Sequence, residues 1–273
     1  KWMWWSQRTG GRSALDYLIK VKEVPFTEAV ERIVGRAAKR PPISYTCQQP
    51  KQTKTLLLPQ VSRCAAHAVE YLHYRGIDYE LIDFCIRTGR LYESYPHHNV
   101  VFVGKDKDGQ PRYACLRGIG TDFKGEATGS DKRFAFSIPA EEPSTVLYLF
   151  ESAIDLLSFA TMAQEDKLPW RSQHLLSLAG VYQPKKNLTE RRLPLALSQY
   201  LRDHREVQTI YLCLDNDLAG RSAADAIRQQ LAGKYVVRDG FPCQGKDYND
   251  WLCLRKGLPI TKTVPKTERS MAR

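Results

Sequence analysis

The sequence predicts an α/β protein: a mostly parallel β-sheet with helices on both faces, preceded by a smaller α+β segment. Three observations lead there. From residue 146 onward, short apolar runs alternate with stretches of helical periodicity, the pattern of a parallel sheet covered on both sides. Two of those runs, Val146-Leu147-Tyr148-Leu149-Phe150 and Thr209-Ile210-Tyr211-Leu212-Cys213-Leu214, stop abruptly at carboxylates, Glu151 and Asp215-Asn216-Asp217. Before residue 146 the periodicity is different: helical over 61–95, then strand-like over 99–138 around an Asp108-Gly109 hairpin signal.

Taken in order, residues 1–36 open with Trp2, Trp4 and Trp5, then Gly10-Gly11. One helical pattern follows through Leu15, Leu18 and Ile19. A second runs through Phe26, Ala29, Val30 and Ile33, starts near Thr27 with Glu28 and Glu31 in its first turns, and stops at Gly35. The tryptophans read as a small core; beside Arg8 and Arg12 they also suit base stacking. Residues 37–60, with Pro41-Pro42 and Gln48-Gln49-Pro50, lack periodicity and read as a linker. Residues 61–95 read as two short helices joined at Arg75-Gly76, and 100–103 with 113–117 as the two arms of a hairpin. The α/β part then runs strand 146–150, helix 152–163, strand 174–178, helix 189–204, strand 209–214, helix 219–232, strand 234–238 and a helix from about 247.

Charge is unevenly spread. The chain of 273 residues carries a formal +11. Residues 1–63 hold twelve Lys/Arg against four Asp/Glu, and residues 255–273 hold six against one, so the middle is slightly acidic. Basic flanks around an acidic centre suit a polyanion such as nucleic acid; solubility alone accounts for them equally well. The seven cysteines are scattered, with no CxxC pair, so reduced thiols in a cytoplasm are expected, and no zinc site within the chain. No apolar stretch is long enough for a membrane span and no signal peptide is seen, so no membrane partner is expected. Residue 1 is Lys, which suits a chain that begins partway into a longer one.

A third acidic cluster, Asp247-Tyr248-Asn249-Asp250, completes the set. If the strands are neighbours, Glu151, Asp215, Asp217 and Asp247 converge at their carboxyl ends, where open α/β sheets place their sites. Carboxylates that close do not all ionise without a cation. A hard cation with oxygen ligands, Mg²⁺ or Mn²⁺, is the natural one.

The runs Leu149-Phe150-Glu151-Ser152-Ala153-Ile154-Asp155, Leu214-Asp215-Asn216-Asp217-Leu218-Ala219-Gly220-Arg221 and Gly245-Lys246-Asp247-Tyr248-Asn249-Asp250 resemble the Toprim domain of bacterial (DnaG-type) primases, topoisomerases, some nucleases and RecR-type proteins. The later clusters look most like the primases. The resemblance implies that Glu151, Asp215, Asp217 and Asp247 hold metal, with Glu151, Asp215 and Asp217 catalytic. Asn249 departs from the family's second Asp, which weakens or re-tunes one metal position. Residues 71–138 resemble the subdomain that precedes Toprim in primases, where Gly109, Arg117 and Lys132 fall where that subdomain turns basic residues toward template and nucleotides; Arg133, beside Lys132, is a further cationic candidate for binding nucleic acid. Residues 1–36 resemble the rear half of the primase zinc-binding module, without its cysteines.

The implied organisation is a zinc-module remnant over 1–36, a linker over 37–60, a primase-like subdomain over 61–140, Toprim over 141–256 and a basic tail over 257–273. The implied activity is metal-dependent synthesis of short primers on single-stranded DNA from nucleotides. Few residues follow the last motif, so a plasmid or conjugative element is the expected setting, with a helicase or relaxase of that element as partner. A Toprim nuclease and a non-catalytic nucleic-acid-binding module are the alternatives. Arg221 and Lys246 each have two readings, phosphate ligand or partner of a carboxylate. Asp155, one turn after Glu151, is read first as a structural cap.

Overall fold

The computed structural model describes residues 2–7, 9–38, 55–180 and 193–260. The chain forms two compact units, 1–53 and 54–273. Most of the expected linker, the end of the expected tail and the start of the helix expected at 189 lie outside the described residues.

The first unit pairs β1 (Trp2–Trp4) antiparallel with β2 (Thr9–Gly11), followed by α1 (Ala14–Lys20) and α2 (Phe26–Ala38). Ser13 and Asp16 cap α1 reciprocally, each side chain accepting from the other's backbone N–H. Two expectations fail here. Trp4 and Trp5 are exposed, Trp5 to 81%; only Trp2 packs inward, edge-on to Tyr17 with its indole N–H donated to the Ser13 carbonyl. The second helix also runs past Gly35, because an isolated glycine costs a helix only about 1 kcal/mol and breaks nothing.

The second unit opens with α3 (Ala66–Tyr74) and α4 (Tyr79–Arg87). An antiparallel sheet follows, in the order β3 (Leu91–Glu93), β4 (Val100–Lys105), β5 (Pro111–Arg117) and β6 (Lys124–Glu126). Leu91–Glu93, expected at the end of a helical region, is therefore a strand; Leu91 and Glu93 are buried and Tyr92 between them less so, an alternation three residues long and too short to read alone.

The main sheet comprises β7 (Ser137–Ile138), β8 (Val146–Phe150), β9 (His174–Ser177), β10 (Thr209–Cys213) and β11 (Val236–Asp239) in the order β11-β10-β8-β9-β7. All neighbours are parallel except β7, an antiparallel edge. Its helices are α5 (Ala153–Glu165), α6 (Leu195–Asp203), α7 (Leu218–Leu231) and α8 (Tyr248–Arg255). The period-2 alternation of strands sorts them. Leu147, Leu149, Ile210 and Leu212 pack with Leu197, Ala223 and Ile227 of α6 and α7. Phe150 and Cys213 pack on the opposite face with Leu157 and Leu252 of α5 and α8, flanked by Tyr148 and Tyr211. This second core continues through Leu72 and Leu81 of α3 and α4, and through Phe102 of β4. The antiparallel segment and the parallel sheet thus share one interior. Among the described residues no helix is long and apolar enough to cross a membrane.

Candidate functional site

β8 and β10 lie side by side in register, Phe150 opposite Cys213, so the residues that follow them emerge together. The Asp215 backbone N–H donates to Glu151 Oε1 at 3.3 Å. Asp217 caps α7, accepting from the Gly220 N–H at 2.9 Å. Asp247 caps α8 through the Asp250 N–H at 2.8 Å. The loops carrying these two caps are joined by the Asn216 N–H on the Lys246 carbonyl, 2.7 Å. Two glycines make the approach possible. A Cβ on Gly220 would stand 2.1 Å from the Asp215 carbonyl oxygen, and Gly245, at φ +73°, turns the chain against Asp250.

Glu151, Asp155 and Asp247 are each under 8% exposed. Burial, then the charge of Asp215, pushes Glu151 up to about 7. Burial and the neighbouring Asp247 likewise raise Asp155; its carboxylate accepts the Ser152 hydroxyl at 2.5 Å. Asp215 is raised by burial against the pull of Lys246. Asp217, more exposed than these, outside the lining of the cavity they share and holding the Gly220 N–H, is lowered. Lys246 Nζ lies 3.1 Å from both Asp215 Oδ2 and Asp217 Oδ2 and is itself raised by them.

Glu151, Asp155, Asp215, Lys246 and Asp247 line one cavity of about 400 Å³, whose other wall brings Tyr71, Arg75, Arg117 and Lys124. Of the expected cationic residues, Arg117 and Lys246 are in this cavity, and Lys246 is paired with carboxylates. Arg221 is not: its guanidinium donates to the Asn216 side chain and lies over the Phe241 ring, 5.0 Å from the centroid. Lys132 pairs with Glu126 at 2.8 Å. Arg133 forks onto Asp131 and lines a different cavity, beside Arg90 and Lys105.

Asn249 is engaged elsewhere. Its amide oxygen accepts from Arg75 Nε at 2.6 Å, and its amide nitrogen donates to the Arg75 carbonyl at 2.8 Å and the Ser158 hydroxyl at 2.9 Å. The side chain is a tie between α3, α5 and α8. Sequence reasoning missed Arg75, Tyr71 and Lys124 as wall residues. Arg75 gave a faint signal, an arginine four residues after a tyrosine on one helix face, and its guanidinium does accept that company, donating to Tyr71 Oη at 3.0 Å.

The donor set fits a hard divalent cation. It is all carboxylate oxygen, Glu151 and Asp215 are each raised by neighbouring acids, and Lys246 already stands as a cation between Asp215 and Asp217. Fold and site together define an α/β domain with an acidic cleft at the carboxyl edge of a parallel sheet.

Residues 148–252 match the family model described as Toprim-like, so the chain carries a Toprim-like domain over that stretch. Residues 70–143 match a second model, described as a protein of unknown function, DUF3991. The chain is 28% identical to a "65 kDa protein" of Zymomonas mobilis over 75% of its own length and 34% of the relative's. It is 23% identical to an uncharacterized Bacillus anthracis protein, pXO2-78, over 87% and 68%. The chain therefore spans about a third of the Zymomonas relative. Among solved structures it is similar to the primase fragment of the bacteriophage T7 primase-helicase (20% identity, 82% and 81% of the chains, TM-score 0.47). It is also similar to the E. coli primase catalytic core (15% identity, 71% and 70%, TM-score 0.44).

Proposed function

We propose that the chain is a primase-like nucleotidyltransferase that makes short primers on single-stranded DNA, using Mg²⁺ or Mn²⁺ held by Glu151, Asp215, Asp217 and Asp247. The observation that carries this reading is one cavity with two walls of opposite sign: carboxylates on the sheet edge, Arg75, Arg117 and Lys124 opposite. A nucleotide's triphosphate and a template backbone need cations on the protein side, and the joining of a 3′-hydroxyl oxygen to an α-phosphorus, with the bond to the β-phosphate breaking and pyrophosphate leaving, needs cations on the phosphate side. A bound divalent cation supplies charge neutralisation for the triphosphate and lowers the pKa of the attacking hydroxyl.

The chain's own residues do the rest. Glu151, the buried carboxylate at the end of β8, either helps hold the cation or takes the hydroxyl proton. Arg117 of β5 sits opposite Lys124 of β6 in the strand register, so the two present a pair of charges along one edge to phosphates. The amide ends of α5, α7 and α8 meet at the same edge and favour negative charge there. Replication or transfer of a mobile element, with a helicase or relaxase as partner, is the setting we propose, and the cytoplasm its place.

The test is primer synthesis on single-stranded DNA with NTPs and dNTPs, with and without the divalent cation, beside Asp215→Ala/Asp217→Ala. Cation-dependent products lost in the variant are expected. Shortened template in place of products would make the chain a Toprim nuclease. DNA binding without either would make it a binding module.

A further inference from the structure

Outside the acidic cleft, a second cluster of ligating atoms occurs where α3, β3 and the turn into β4 meet. His67 Nδ1 lies 3.0 Å and His98 Nδ1 2.5 Å from Glu93 Oε1, all three atoms falling within 4.8 Å of one another. The Glu93 side chain is 1% exposed, those of His67 and His98 51% and 43%. We propose that Glu93, His67 and His98 form a site for a borderline divalent transition metal, Zn²⁺ or one of its neighbours, distinct from the hard-cation site of the cleft.

Three features carry this. First, a buried carboxylate without a lysine or arginine demands another cation. Among the described residues no lysine or arginine pairs with Glu93: Oε2 is held by the Ala68 N–H at 3.0 Å, and Oε1 meets the two imidazoles. Second, two imidazole nitrogens and one carboxylate oxygen are the donors of a three-ligand zinc site with an open fourth position, and not those of Mg²⁺. With metal–ligand bonds of about 2.0–2.1 Å, such donors stand roughly 3.3 Å apart. Measured from Glu93 Oε1, the exposed imidazoles reach that spacing by moving outward less than an ångström. Third, the backbone is bent to bring His98 in. His98 has φ +50°, in the left-handed region that a residue with a side chain adopts at a cost. The turn that holds it there is closed by the Ser94 N–H on the Asn99 carbonyl, the His98 N–H on the Ser94 carbonyl, and the Asn99 N–H on the Ser94 hydroxyl. Strain maintained by so complete a hydrogen-bond set marks a position used for its side chain.

The other histidine cluster, His174, His204 and Glu206, suits metal less well. His174 Nδ1 is engaged by the Ala140 N–H at 3.3 Å and the Tyr200 hydroxyl at 3.0 Å, so its ring cannot move the Nε2 proton without giving up these bonds, whereas the Nδ1 protons that His67 and His98 turn to Glu93 can shift to Nε2 of rings that are about half exposed. Cys64, three residues before His67, has its thiol on the Ala66 N–H at 3.4 Å and is not among the converging donors. The site would act as a staple: it joins the first turn of α3 to β3, and Tyr71 and Arg75, one and two turns further along α3 from His67, line the acidic cleft.

The experiment uses the metal-stripped full chain in excess Mg²⁺, which occupies hard-oxygen sites. Zn²⁺ is titrated in competition with a chromophoric chelator, and Co²⁺ is added separately to read its visible ligand-field band. One tight equivalent is expected, with a four-coordinate Co²⁺ spectrum. Affinity should fall at least about tenfold in His67→Ala and in His98→Ala and hold in His204→Ala. The exposed histidines should be replaceable without unfolding, which circular dichroism checks; for Glu93, Glu93→Gln keeps the Ala68 hydrogen bond and should weaken binding comparably. Overturning results are wild-type affinity no greater than that of His67→Ala/His98→Ala, or loss of the equivalent in His204→Ala.

Discussion

Glu151→Gln should make the metal-free protein more stable, and only above a certain pH. An unfolded glutamate ionises near its ordinary value of about 4.3–4.5, whereas folded Glu151 keeps its proton to about 7. Between those values the unfolded chain has released a proton that the folded chain still holds, so stability falls as pH rises through this window and levels off above it. The difference of about 2.5 pH units corresponds to roughly 3 kcal/mol at pH 8. Glutamine has no such cost and still offers an oxygen to the Asp215 N–H. For a unit of some 220 residues each kcal/mol moves Tm by about 2–4 °C. In chelator the variant should therefore melt about 6–12 °C above wild type at pH 8, and within about 2 °C of it at pH 4.5. Thermal unfolding followed by circular dichroism across pH reads this directly. Adding Mg²⁺ should close the gap from the wild-type side, since the cation binds the carboxylate form. Parallel pH profiles for the two proteins would refute the reasoning: Glu151 would then be ionising as an exposed carboxylate does, and burial would not be what tunes the cleft.

Other residues separate structure from binding. Arg75→Ala removes a charged hydrogen bond to Asn249 and leaves that buried amide short of a partner, so it should cost about 3 kcal/mol in urea unfolding. Arg117→Ala should leave stability within about 0.5 kcal/mol. It should weaken single-stranded DNA binding and reduce the log–log salt slope by about 0.7, one phosphate contact; Lys132→Ala, already paired with Glu126, should change the slope less. Gly220→Ala puts a methyl 2.1 Å from the Asp215 carbonyl and should cost about 1–3 kcal/mol by overpacking, with a greater loss of cation affinity in calorimetry because Asp215 and Asp217 are displaced together.

The strand–helix alternation from 146 to 255 was readable because its central strands β8 and β10 are runs of apolar residues ending at charges, and its long helices show a face. The two-residue β7 and three-residue β3 and β6 carry no such period. Trp4 and Trp5 show the limit of composition, since nothing in a tryptophan-rich start says which ring faces in. At the site, the strand-end acids were legible as a linear pattern. The Arg75–Asn249 tie was not, because its members are 174 positions apart. Nor was the partition of the basic residues: Lys132 and Arg133 look alike in sequence, and only the fold shows each occupied by a nearby carboxylate.

Beneath the acids lies a layer of rings. Tyr148 and Tyr211 stack across β8 and β10 at 4.9 Å and 11°, Phe159 of α5 leans on Tyr148 and Phe150, and Tyr248 of α8 meets Phe150 and Phe159 edge-on. The Tyr248 hydroxyl is also pinned to the Gly240 carbonyl at 2.5 Å. Such a plate has little elastic give. Repulsion among the carboxylates above it is not relieved by spreading them apart, because the strands and helices that carry them are cross-braced by the rings. The cleft is therefore left to answer a change in its charge by exchanging protons and cations with solvent, at nearly fixed shape.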